Sequence, residues 1–183
     1  MGDEQRIIEE IISGQSRSYR LLVERYQNPV FRGILKIVAN SEDAKELTQD
    51  VFVKAYESLL QYKPEYKFFS WIYRIAINNA LLFVKRRKKH LKTEKMLQKS
   101  FQIAVQNDGN DNRDYFLNRS LQELSGNYQS VIVLKYYADL SYADIAESLG
   151  ISETKVKSRL FDARKMLKEK LSESGFFSYI QED

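Results

Sequence analysis

The residues from Ser141 to Leu160 carry the pattern most able to do chemistry in this chain: two helical repeats around Gly150, the second with a cationic, hydroxyl-rich outer face. Ser141 and Ser152 stand where helix N-caps belong, just ahead of runs with helical period. Gly150 supplies the backbone freedom that ends one helix and sets the turn to the next. Ile145, Ala146 and Leu149 fall on one side of the first helix, and Val156, Leu160, Ala163 and Leu167 on one side of the second. Thr154, Lys155, Ser158, Arg159 and Asp162 then point away from the packed side, with Ser152 and Lys157 beside them. This is helix-turn-helix architecture whose second helix is free to enter a DNA major groove. Lys and Arg there supply the phosphate and guanine contacts that a groove helix needs. An ordinary pair of packed helices with a solvated polar face is the alternative. Repressors, activators, recombinases and initiation factors all use such a module, so it assigns no role by itself.

Three further constellations lie in the first half. Asp43, Glu46 and Asp50 follow helical i+3 and i+4 spacing with Gln49 beside them, which gives one acidic helix face. Such a face does not converge on a metal or a substrate, and no His or Cys joins it. It is either a solvated face or a docking surface for a basic partner. Lys85-Arg-Arg-Lys-Lys89 is extended by Lys92, Lys95 and Lys99: residues 85 to 99 hold eight Lys or Arg against Glu94 alone, a local net of +7. Nucleic-acid phosphate is the natural partner for that density. Just upstream cluster Tyr62, Tyr66, Phe68, Phe69, Trp71 and Tyr73. Phe69 and Trp71 are expected in the core; the other aromatics beside a cationic surface are what unstacked bases rest on.

The elements that must position these residues are helices. The 183 residues are 43% hydrophobic with few glycines and prolines, and no sustained alternation of period two appears. Helices are expected at Asp3–Ile12, at Ser16 to about Val38 with Pro29 placed to bend or interrupt it, and at Ser41 (as N-cap) to about Leu60. A Pro-containing loop covers Tyr62 to Phe68, and a fourth helix starts at Phe69 or Ser70 and runs to roughly Lys89. Gln106 to Asp114 is polar and turn-rich, and reads as a tether. The expected organisation is all-α: an N-terminal unit over 1–92, a flexible linker over 93–114, a C-terminal helix-turn-helix unit over 115–175, and an apolar tail over 176–183 that could dock on either unit. No cysteine is present, which excludes disulfides and thiolate metal sites and suits a reducing, cytoplasmic location. No apolar run is long enough to span a membrane, so no membrane insertion is expected, and the net charge of +4 fits a polyanionic partner.

Taken together, the motifs resemble the extracytoplasmic-function (ECF) group of bacterial sigma factors over nearly the whole chain. Asp43-Ala-Lys-Glu-Leu-Thr-Gln-Asp-Val-Phe-Val-Lys-Ala-Tyr56 is similar to the family's polymerase-binding helix. Phe69-Ser-Trp-Ile-Tyr-Arg-Ile-Ala-Ile-Asn-Asn-Ala80 with Arg86-Arg87 resembles its promoter-melting segment, and Leu121 to Leu171 its C-terminal helix-turn-helix domain. The resemblance implies a promoter-specificity subunit of RNA polymerase. Asp43, Glu46, Gln49, Asp50 and Phe52 would dock on core polymerase, at the clamp helices of β′, with the β subunit as a further partner. Lys63, Tyr66, Lys67, Phe68, Trp71, Arg74, Asn78, Lys85, Arg86 and Arg87 would engage the −10 element as a melted strand. Ser152, Thr154, Lys155, Lys157, Ser158 and Arg159 would contact the −35 element as duplex. An anti-sigma partner is common in the group. The chain departs from the family pattern at Leu82, at Thr154-Lys155, at Asp162 and at Gln129, which leaves its promoter sequence open.

Two other readings of the sequence remain. A two-domain regulator acting apart from polymerase accounts equally well for the helix-turn-helix, but not for the basic-aromatic segment. An enzyme is disfavoured: with one His, no Cys, no Gly-rich phosphate loop and no convergent acid pair, neither catalysis nor a metal or cofactor is expected.

Overall fold

A computed structural model describes residues 3–97 and 112–173. Eight α-helices are present among them: α1 (Asp3–Ile12), α2 (Tyr19–Val38), α3 (Ser41–Glu57), α4 (Phe68–Leu97), α5 (Asn112–Gln122), α6 (Gly126–Ile132), α7 (Tyr142–Leu149) and α8 (Glu153–Glu173), with no strand among the described residues. Helices α2, α3 and α4 pack on one another with α1 across α2; helices α5, α6 and α7 gather around α8.

The helix ends follow local chemistry. Asn40, in extended conformation, accepts from the Asp43 amide at 2.9 Å and is the N-cap of α3, so the cap lies one residue before the expected Ser41. Either side chain can hold that bond; Asn40 has the backbone angles for it. Helix α3 stops at Glu57, short of Leu60, and a 3-10 turn over Leu59–Gln61 follows. Pro29 does not interrupt α2, which runs unbroken through it. Helix α4 begins at Phe68 and continues to Leu97, into the stretch read as linker, and α5 already begins at Asn112. The remainder of that linker and the tail lie outside the described residues.

The aromatics at the start of α4 are covered differently from expectation. Phe68 and Tyr73 are the fully buried aromatics, while Phe69 and Trp71 are only partly covered. Phe68 sits between Tyr26, Tyr62 and Trp71 at ring separations of 5.5–5.7 Å. Tyr73 donates its hydroxyl to the Pro29 carbonyl at 2.6 Å, and burial pushes its ionisation upward. Its ring lies against Gly33 of α2, where an added Cβ would come within 2.8 Å of the Tyr73 ring. Gly33 therefore sets how closely α2 and α4 approach.

Gly33→Ala gains about 1 kcal/mol of helix propensity but overpacks the α2–α4 contact at a cost of roughly 1–3 kcal/mol. The expected outcome is a lower midpoint in thermal or denaturant unfolding. An unchanged or raised midpoint refutes Gly33 as the spacer.

Candidate nucleic-acid interface

Helix α7 is held at both ends. Ser141 Oγ accepts from the Asp144 amide at 3.1 Å while Asp144 Oδ2 accepts from the Ser141 amide at 3.2 Å, a complete capping box. At the other end Gly150 adopts φ 63°, and the Ile151 amide reaches back to the Ala146 carbonyl at 2.9 Å. The next helix starts at once: the Lys155 amide donates to Ser152 Oγ at 3.2 Å. Ser152 is thus a cap before it is anything else. Val156, Leu160, Ala163 and Leu167 are buried, as their spacing requires. Thr154, Lys155, Lys157 and Ser158 are exposed on the opposite face, whereas Arg159 and Asp162 are half-buried at its flanks. The Lys157 ammonium lies 5.7 Å from the Tyr142 ring centroid. Phe161, one turn beyond Ser158, is 65% exposed and extends this face; the sequence reading missed it. Its signal was its adjacency to Leu160, which places one of the two off the buried stripe.

Helix α4 presents a second face. Trp71, Arg74, Asn78, Leu82 and Lys85 recur at spacings of three and four; Arg74, Asn78, Leu82 and Lys85 are exposed and Trp71 is half-buried. The preceding loop is pinned by Tyr62, whose hydroxyl donates to the Tyr66 carbonyl at 2.5 Å and is pushed up to about 12, by burial and then by the charges of Glu4 and Glu147. This leaves Lys63, Tyr66 and Lys67 outward. Phe68 is corrected here: at 0% exposure it is core and offers no surface to a base. Lys85, Arg86 and Arg87 are exposed, and Arg87 is ion-paired to Asp43 at 2.7 Å.

The acidic face of α3 is likewise only partly as expected. Glu46, Gln49 and Asp50 are exposed together, but Asp43 is half-buried under Arg87. Phe52 is corrected: it is 6% exposed and belongs to the core, its carbonyl taken by the Tyr19 hydroxyl at 2.6 Å. The apolar component of this face is its neighbour Val53, 57% exposed, with Tyr56 and Leu60 beyond it. Among the described residues no group of three or more His, Cys, Asp or Glu could hold a metal, and no helix is long and apolar enough to cross a membrane.

Comparison with known proteins accounts for both units. Residues 22–90 match the model of sigma-70 region 2, and residues 117–167 that of sigma-70 region 4. The ECF RNA polymerase sigma-E factor of Haemophilus influenzae is 29% identical over 180 residues, covering 92% of this chain and 95% of that protein. The RNA polymerase sigma factor YlaC of Bacillus subtilis is 30% identical over 158 residues, covering 84% and 91%. A solved structure of the sigma factor RpoE of Bartonella quintana, in complex with the anti-sigma factor NepR, superposes with a TM-score of 0.69 at 20% identity, covering 85% of this chain and 98% of that one.

The chain belongs to the sigma-70 family, in its ECF group.

Region 2 of this sigma factor is α2 to α4, region 4 is α5 to α8, and the two meet at the end of α2. The Lys36 carbonyl lies in the last turn of α2, where intrahelical donors run out. It accepts instead from Gln122 Nε2 at 2.7 Å and Gln129 Nε2 at 3.2 Å, both from region 4. The Lys36 ammonium donates to Asn118 at 2.7 Å and lies 5.1 Å from the Tyr137 ring centroid. Gln129, where the family often has Arg, is here a buried helix-end cap. Helix α7 completes the junction against α4: Ser148 Oγ shares its proton between the Asp144 carbonyl of its own helix at 2.7 Å and the Ser70 carbonyl at 3.1 Å, and Lys67 donates to Asp144 at 3.0 Å. The two carboxylates of α7 are pushed in opposite directions. For Asp144 partial burial is outweighed by its bonds from Ser141 and Lys67, which hold its carboxyl below the ordinary range. Burial and the neighbouring Asp144 raise Glu147, against the charge of Arg74. Asp144 therefore stabilises the junction above its unfolded pKa and ceases to as pH falls through its lowered folded value.

Gln122→Ala combined with Gln129→Ala removes two neutral hydrogen bonds, each worth about 0.5–1.5 kcal/mol. The expected outcome is a larger radius of gyration in small-angle scattering with unchanged helical circular dichroism. Unchanged scattering refutes the role assigned to these glutamines.

Proposed function

We propose that this sigma factor directs core RNA polymerase to promoters by reading the −35 element as duplex with α8 and the −10 element as melted strand with α4 and its preceding loop. The observation that supports this is the pair of polar, DNA-compatible faces on separate units, each backed by core. Thr154, Lys155 and Ser158 meet base edges in the major groove, Lys157 and Arg159 meet flanking phosphates, and Phe161 meets a thymine methyl. In region 2, Tyr66 and Trp71 wall the extruded base, Arg74 and Asn78 face the strand, and Lys63, Lys67, Lys85 and Arg86 hold its backbone. Glu46, Gln49 and Asp50, with Val53 as the apolar contact, dock on the β′ clamp helices of core polymerase. An anti-sigma factor is the natural inhibitor of such a protein.

This reading requires the junction at Lys36 to open. The two promoter elements are centred about 25 base pairs apart, roughly 85 Å of helix at 3.4 Å per base pair. Units in direct hydrogen-bonded contact cannot span that distance. The residues between α4 and α5 are the connection that would let them do so.

Run-off transcription with core polymerase and a promoter selected from bound fragments tests the proposal; no stimulation over core alone sinks it. In the same assay Asp50→Lys is expected to lower core association roughly tenfold or more with the fold intact, and wild-type association would refute docking through this face.

The basic run makes a separate prediction. Replacing Lys85, Arg86 and Lys88 with Ala is expected to reduce the slope of log affinity against log salt for single-stranded −10 DNA by about 2, at about 0.7 per phosphate. An unchanged slope would show that these cations face solvent only.

A further inference from the structure

Region 4 has an apolar groove of about 570 Å³ on the side away from the base-reading face of α8. Leu117 and Leu121 of α5 form one wall, Ile132 and Tyr136 of α6 and the turn after it form the floor, and Leu167 and Leu171 of α8 form the other wall. Arg164 and Lys168 stand exposed on its rim. Tyr136, which lines the groove, is 56% exposed.

We propose that this groove is the docking site of the chain's own segment Phe176–Ile180. Three observations carry this. First, the groove lies close to the tail in sequence: Leu171 lines it, five residues before Phe176. Second, reach is sufficient. The wall from Leu171 back to Arg164 is seven residues of helix, about 10 Å at 1.5 Å per residue. Five extended residues cover about 16 Å, and Gly175 is the residue best able to reverse the chain after the helix. Third, the chemistry is complementary. Phe176, Phe177, Tyr179 and Ile180 are an apolar cluster followed by Glu182 and Asp183, which suits an apolar floor with a cationic rim. The docked tail closes this face of region 4 to other partners and leaves the outer face of α8 uncovered. The proposal does not depend on the promoter reading.

The chain has no cysteine, so paired cysteine variants of the full-length protein carry no background. Tyr136→Cys and Lys168→Cys, both at exposed positions, are each combined with Ser178→Cys or Gln181→Cys, which leave the tail's apolar residues in place; Leu60→Cys with the same tail partners is the control. Under mild oxidation the groove pairs are expected to form intramolecular disulfides at least tenfold faster than the Leu60 pairs. The added double substitution Phe176→Ser with Phe177→Ser is expected to abolish that advantage. Equal rates for groove and control pairs overturn the proposal. So do disulfides found only between molecules, which would assign the groove to a second copy's tail, and rates indifferent to loss of the two phenylalanines.

Discussion

The last turn of α2 is the point on which the arrangement of this sigma factor depends. Every helix ends with carbonyls that its own backbone cannot satisfy, and burying such an end without partners is expensive. Region 4 supplies the partners for Lys36: two glutamine amides on its carbonyl, an asparagine oxygen and an aromatic face on its ammonium. The interface is thus specified by polar groups that a misplaced domain would leave unmatched. Yet each of those groups would be nearly as well served by water once exposed. Neutral hydrogen bonds contribute about 1 kcal/mol net apiece, and the largely exposed Lys67 side chain adds little through its ion pair. A junction built this way is exact in geometry and modest in strength. The interior of region 2 is of the other kind: Phe68, Ile72, Tyr73 and Ile77 are sealed against α2 and α3 and have no alternative partner in solvent.

This contrast explains which features were legible in the sequence. Ser141, Gly150 and Ser152 were read correctly because caps are local: donor, acceptor and backbone angle all lie within four residues. The buried stripe of α8 was legible for a similar reason, since alternation of Val156, Leu160, Ala163 and Leu167 with charged residues leaves only one phase open. In α4 that contrast fails. Phe68-Phe-Ser-Trp-Ile-Tyr73 is apolar nearly throughout, so its pattern does not say which of its aromatics are covered. Phe69 and Trp71 were expected in the core and pack against it only in part, while Phe68, assigned to DNA by the resemblance, is sealed. Phe52 shares the buried phase of Leu47, Val51 and Ala55 and was put on the docking face by the resemblance alone, and Leu160 hid Phe161. Long-range pairs carried no sequence signal at all. Nothing near Lys36 announces Gln122 or Gln129, and nothing near Asp43 announces Arg87.

The Asp43–Arg87 pair shows how the acidic and basic surfaces of region 2 restrain one another. One carboxylate at the start of α3 and one guanidinium of the basic run neutralise each other across α3 and α4. The remaining acidic residues stay exposed along α3 and the remaining cations along α4, so opposite charges are held on distinct faces without collapsing together.

Lys67 poses the same competition between the units. In the closed form its ammonium bonds Asp144, which is also the acid of the α7 capping box. A phosphate oxygen offers Lys67 a bond of comparable strength, but the two exchanges differ in entropy. Releasing Asp144 leaves that carboxylate with its Ser141 bonds intact, so the cap of the helix-turn-helix survives. Placing Lys67 on a nucleic acid also frees a condensed counterion, a gain the intramolecular pair cannot match. The junction thus holds Lys67 in a contact that polyanion binding is well suited to displace. Region 4 would lose an anchor to region 2 without losing its helix-turn-helix fold.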